Sequence, residues 1–77
     1  MKVTTKDIID IISIYAKPGY EILENSKILE DQIIDSINVI QIIAEIEAKM
    51  NTKISSMDLD FDDFETPLKL VDALRKV

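Results

Sequence analysis

Isoleucine favours strands when its context is silent, yet in this chain it recurs at helical spacing, and that constrains the fold more than any other feature. Ile8, Ile11, Ile12 and Tyr15 stand at i, i+3, i+4 and i+7, and strict alternation is absent, which predicts a helix from about Thr5 to Ala16 with one buried face. Pro18-Gly19 stops it. A second helix is predicted from roughly Ser36 to Met50. At about 100° per residue its Val39, Ile42, Ile43, Ile46 and Met50 form a core arc, and Asn38, Gln41, Glu45 and Lys49 a solvated one. A third arc carries Ile37, Ile40, Ala44 and Ala48, with Glu47 beside it. One stripe is enough to dock a surface helix, so the second apolar face is either covered by a loop or left for a partner.

Between these helices, residues 17–35 form a connection of about 19 residues, longer than most loops in compact domains. Ile22, Leu23, Ile28, Leu29 and Ile33 are the side chains expected to pin it to the core. After Asn51, Ile54 reads as a core anchor, Ser55-Ser56 as a break, and Asp58 to Phe64 as a short helical turn with acids near its N-terminal end. Thr66-Pro67 is a good helix start, because threonine can cap and proline is tolerated at the first helical position. The last helix should bury Leu70, Val71, Leu74 and Val77 and leave Asp72, Arg75 and Lys76 in water. The expectation is an all-α fold in one domain over residues 1–77: a small four-helix bundle of three main helices and one short helix, with a long first loop.

Composition narrows the chemistry. A chain of 77 residues buries only about 60% or slightly more of its unfolded surface, which argues against a deep enzymatic cleft. Fifteen acidic residues against nine basic ones give a net charge of −6, which repels nucleic acid and anionic membranes and favours partners with basic patches. With no cysteine and no histidine there is no disulfide framework, no thiolate metal site and no common general base. The N-terminal stretch, broken by Asp7 and Asp10, does not read as a signal peptide, and no apolar run approaches the ~20 residues of a membrane span. A cytoplasmic monomer is expected. Asp58-Leu59-Asp60-Phe61-Asp62 has the alternation of a calcium loop, but Asp63 replaces the turn glycine and Lys69 stands where the bidentate glutamate should be, so no metal site is expected.

The remaining chemical handle is Ser36, where the long loop meets the second helix. Asp35 or Ser36 could simply cap that helix. The reciprocating partner of a capping box looks absent, because Asn38 or Val39 stands where Glu or Gln would answer. A hydroxyl at a helix N-terminus is also well placed to carry a phosphodiester, since free backbone N–H groups and the positive dipole end favour an anion there.

With Asp35-Ser36-Ile37 in this setting, the chain resembles the acyl carrier proteins and related peptidyl and aminoacyl carrier domains. The resemblance covers nearly the whole chain: first helix, long loop, an Asp-Ser-Leu type motif, second helix, short helix and final helix. It implies a fold of acyl-carrier-protein type and no catalysis. It further implies that a phosphopantetheinyl transferase attaches 4'-phosphopantetheine from coenzyme A to Ser36, with Asp35 as its electrostatic and capping neighbour. The terminal thiol of that arm would hold an acyl or aminoacyl group as a thioester. A loading ligase and downstream transferases with basic docking patches would then meet Ile37, Ile40, Ala44 and Glu47. Ile34, Asn38 and Gln41 replace the small residue and the acids usual in fatty-acid carriers, and Ile33-Ile34-Asp35-Ser36 and Phe64-Glu65-Thr66-Pro67 are similar to stand-alone specialised carriers, including those of D-alanine or of amino acids for small assembly lines. Two rival readings are a small acidic adaptor or inhibitor that uses Ser36 only as a cap, and a metal-binding helical protein that uses residues 58–65.

Overall fold

A computed structural model describes residues 2–55 and 57–77 of the chain. Helix α1 is Thr5–Tyr15, α2 is Ser36–Met50 and α3 is Pro67–Arg75, with a 3-10 turn at Phe61–Phe64 and no strand among the described residues. The all-α architecture of three main helices and one short helix is therefore as expected. Ser56, half of the expected Ser55-Ser56 break, lies outside the described residues.

Each helix begins on a side chain suited to the task. The Thr4 hydroxyl accepts from Asp7 N–H at 3.1 Å and the Asp7 carboxylate accepts from Thr4 N–H at 3.1 Å, a reciprocal box that starts α1. Thr66 caps α3 through Lys69 N–H at 3.1 Å, with Pro67 at the first helical position. Helix α2 ends on Asn51 in the left-handed region, where asparagine is among the few residues that sit easily. Helix α1 stops at Tyr15, one residue short of the expectation, with Ala16 extended ahead of Pro18.

Helix α1 packs against both α2 and α3, so Ile8, Ile11 and Ile12 are fully buried between two neighbours. It runs opposite to α2: Asp7 lies near Lys49 at one end, and the Tyr15 hydroxyl donates to Glu45 Oε1 at 3.1 Å towards the other. Val39, Ile42 and Ile46 of α2, Phe64 of the 3-10 turn, and Leu70, Val71 and Leu74 of α3 complete the core. No polar or charged side chain among the described residues is buried there.

The long first loop is ordered by its backbone rather than by a helix of its own. Ile28 N–H donates to Glu65 O and Leu68 N–H to Glu24 O, which lays residues 24–28 antiparallel to residues 65–68. The Ile28 carbonyl in turn accepts from both Ile33 N–H and Ile34 N–H, at 2.9 and 3.1 Å. Ile22, Ile28 and Ile33 are buried and Leu29 packs on the core, as expected. Leu23 is not: it is 57% exposed, because its N–H is tied to Ser26 Oγ in a local turn that faces outward, and Ile34 fills the core instead. The chain ends also differ from expectation. Val77 is 41% exposed, while Val3 is buried with its carbonyl accepting from Arg75 Nε at 3.2 Å. Glu45, placed by the wheel on the solvated arc, is half-buried by its bond from Tyr15.

Candidate functional site

The junction at Ser36 is built from two buried residues and one cap. Ile33 and Ile34 anchor the incoming chain in the core, and the backbone turns out of it at Asp35. Asp35 is the N-cap: its Oδ1 accepts from Asn38 N–H at 3.0 Å. Asn38 Oδ1 answers by accepting from Asp35 N–H at 3.0 Å, so the capping box judged absent from the sequence is present, with an asparagine amide in place of Glu or Gln. The geometry explains the substitution, since an amide oxygen, like that of Gln in the usual box, can accept one backbone N–H. Asn38 also donates its Nδ2 to Gln41 Oε1 at 2.8 Å, which half-buries it on an arc expected to be solvated.

With Asp35 at the cap, Ser36 is the first residue of α2 and is free of structural duty. It is exposed, and its hydroxyl makes no hydrogen bond with any described residue. The backbone N–H groups of Ser36 and Ile37 likewise have no acceptor among the described residues, as the first turn of a helix requires. A nucleophilic hydroxyl, two unspent donors and the positive end of a 15-residue helix thus meet at one exposed corner. That arrangement suits a phosphodiester: the oxygen is accessible for esterification and the charge falls where N–H groups point.

The other residues singled out from the sequence lie along the same helix. Ile37 is 67% and Ile40 70% exposed, and Ala44 continues their line into solvent, so the long loop does not cover the third arc. Glu47 stands at the far end of this line, half-buried, with Oε2 accepting from Ile54 N–H at 2.9 Å. The structure brings Asp35, Ser36, Ile37, Ile40 and Ala44 onto one exposed face and gives Glu47 a second task, holding the segment after α2.

The acidic run has structural employment too. Asp58 accepts from Ser55 N–H at 3.0 Å and Asp63 from Asp60 N–H at 2.8 Å, while Glu65 pairs with Lys69 at 2.8 Å. The two aspartates cap turns, and no group of three or more among the described residues is placed to hold a metal ion. The Lys69 ammonium holds the Glu65 carboxyl below the usual carboxylate range. Asn38 is the contributor to this corner that sequence reasoning missed. Its signal was available: an amide three residues after an Asp cap satisfies the box whenever the helix starts at Ser36.

A family model described as a phosphopantetheine attachment site covers residues 18–74, from the start of the long loop to the end of the buried face of α3. That span includes the whole corner described above.

Proposed function

The chain belongs to the phosphopantetheine attachment-site family, and from that membership we propose that Ser36 is the residue that bears the group. Members of this family carry 4'-phosphopantetheine and are carriers, not catalysts. Their role involves a phosphopantetheinyl transferase and the enzymes of the pathway they serve. The observation that carries the assignment of Ser36 is its unpartnered, exposed hydroxyl at the first position of α2, beside a cap supplied by another residue.

When attached, the group supplies a thiol at the end of a flexible arm, able to hold an acyl or aminoacyl group as a thioester. The chain's own residues present and protect the linkage. Asp35 and Asn38 lock the turn, so the direction in which Ser36 leaves the helix is set by two reciprocal hydrogen bonds. The first-turn N–H groups and the helix dipole favour the negative charge beside them. Ile37, Ile40 and Ala44, with Asp35 and Glu47 at the two ends, form the docking patch. A loading ligase and downstream transferases with basic patches would meet the acids there. The protein works as a single carrier domain over residues 1–77, a cytoplasmic monomer, in a pathway of fatty-acid, polyketide, nonribosomal-peptide or D-alanylation type. No helix among the described residues is long and apolar enough to cross a membrane. The rival reading, an adaptor in which Ser36 serves as the cap, loses its structural reason because Asp35 performs that task.

Incubation with coenzyme A and a broad-specificity phosphopantetheinyl transferase tests the assignment by intact mass. One phosphopantetheinyl unit is expected on the wild type and none on Ser36→Ala. A mass gain that persists in Ser36→Ala would place the attachment elsewhere.

A further inference from the structure

Elsewhere this chain closes the same kind of box with carboxylates: Asp7 accepts from Thr4 N–H at 3.1 Å and Asp63 from Asp60 N–H at 2.8 Å. Both oxygens of a carboxylate accept, so either end serves. At the Ser36 corner the answering group is the Asn38 amide, which has an acceptor at one end and donors at the other. Turned over, it would set Nδ2 against Asp35 N–H, donor against donor, and the box would open. Gln41, exposed and three residues further along α2, chooses the end. Its Oε1 accepts from Asn38 Nδ2 at 2.8 Å, closer than the 3.0 Å bonds of the box itself, which leaves Oδ1 to face Asp35. The Gln41 side chain makes no other hydrogen bond with any described residue.

We propose that Gln41 is a positioning residue for the modification of Ser36: by fixing which end of the Asn38 amide meets Asp35 N–H, it holds the turn from which the Ser36 oxygen leaves. This rests on Ser36 being the attachment residue. In that reaction the Ser36 oxygen bonds to phosphorus of coenzyme A as the phosphoanhydride bond breaks, the adenosine bisphosphate half departs and the hydroxyl proton is released to water. The hydroxyl itself has no hydrogen bond to orient it, so its line of attack is set by the backbone of residues 35–37. A loosened turn makes the aligned geometry rarer and the transfer slower. Gln41 acts through Asn38 and needs no contact with coenzyme A or with the transferase.

The test is a competition in which the wild type and one variant share a tube with coenzyme A and a broad-specificity transferase. Intact mass then reads the ratio of the two modified forms, which is the ratio of their kcat/KM. Gln41→Ala is expected to lose by about twofold, the upper worth of one exposed amide pair at this helical spacing. Gln41→Glu keeps an acceptor for Nδ2 and should not fall below the wild type. With Asn38→Asp the answering group has no wrong end, so adding Gln41→Ala to that variant should cost nothing. Hydrogen exchange at Asp35 N–H should quicken by about twofold in Gln41→Ala, and should not change when Gln41→Ala is added to Asn38→Asp. All assays run well below the melting temperature, where circular dichroism shows each protein folded, so global stability does not enter. Equal competition between Gln41→Ala and the wild type would overturn the proposal. So would a loss of the same size in the Asn38→Asp background, because it would make Gln41 a contact of the transferase, and so would unchanged exchange at Asp35. If the wild type gains no mass, or gains it away from Ser36, the attachment assignment fails instead, and exchange at Asp35 still decides whether Gln41 holds the turn.

Discussion

Replacing Ser36 by alanine removes a hydroxyl that makes no hydrogen bond with any described residue, and replacing Asp35 removes the acceptor on which α2 begins. The two neighbours should therefore behave oppositely under denaturation. For Ser36→Ala the hydroxyl forfeits no bond and alanine is the better helix former by a few tenths of a kcal/mol, so the net change should lie within about 0.5 kcal/mol of zero. For Asp35→Ala, Asn38 N–H loses its 3.0 Å acceptor, a loss that costs about 1 kcal/mol at N-caps, with a range of about 0.5 to 2. In a domain of this size about 1 kcal/mol corresponds to roughly 4–8 °C in Tm. With a urea slope of about 1 kcal/mol/M it moves the midpoint by about 1 M. Asn38→Ala removes the answering acceptor, so the double variant Asp35→Ala/Asn38→Ala should cost less than the sum of the singles by about 0.5 kcal/mol or more, as expected of residues in one network. Urea and thermal melts of the four proteins, followed by circular dichroism, measure all of this. A Ser36→Ala protein that melts several degrees low, or an Asp35→Ala protein that melts with the wild type, would refute the assignment of the cap to Asp35 and return Ser36 to a structural role.

Glu47 separates into its two duties by choice of substitution. Glu47→Gln keeps an oxygen acceptor for Ile54 N–H and should leave stability nearly unchanged, whereas Glu47→Ala leaves that N–H unmet and should cost about 1 kcal/mol in a urea melt; equal losses in the two would show that charge, not the bond, holds this segment. Acid sensitivity follows from Asp7 and Glu65, whose carboxyls are held below their usual range, the first by Thr4 N–H and hydroxyl and the second by the Lys69 ammonium. Folded values below the unfolded ones mean that their stabilisation is complete above the ordinary carboxylate pKa and is lost as pH falls through the depressed values. Asp7→Ala should accordingly flatten the acid limb of the urea midpoint against pH, and an unchanged limb would sink the attribution.

Much of this fold was legible because its helices announce themselves locally. The isoleucines of α1 and the Val39, Ile42 and Ile46 face of α2 obey a 3.6-residue period that depends only on backbone geometry. Pro18, Thr66 and Pro67 act through their own torsions and hydrogen-bonding groups, and so did their work where expected. The first loop was legible only in part. Leu23 and Ile34 are equally apolar, and their exchange of roles depends on the path fixed when Ile28 bonds Glu65, Ile33 and Ile34 across the chain. Glu45 read as a solvated acid and Glu47 as a docking acid beside the third arc, because their partners, Tyr15 and Ile54, come from other segments.

At the site itself, sequence determined that one hydroxyl stands at the start of the longest helix, and that this helix has a second apolar face. Both follow from spacing alone. Tertiary structure decided which of two adjacent residues caps the helix and whether the loop covers the second face, because each outcome turns on how the chain arrives at α2. Ile33 and Ile34 are drawn into the core, the turn falls at Asp35, Asn38 closes the box, and Ser36, Ile37 and Ile40 are left facing water.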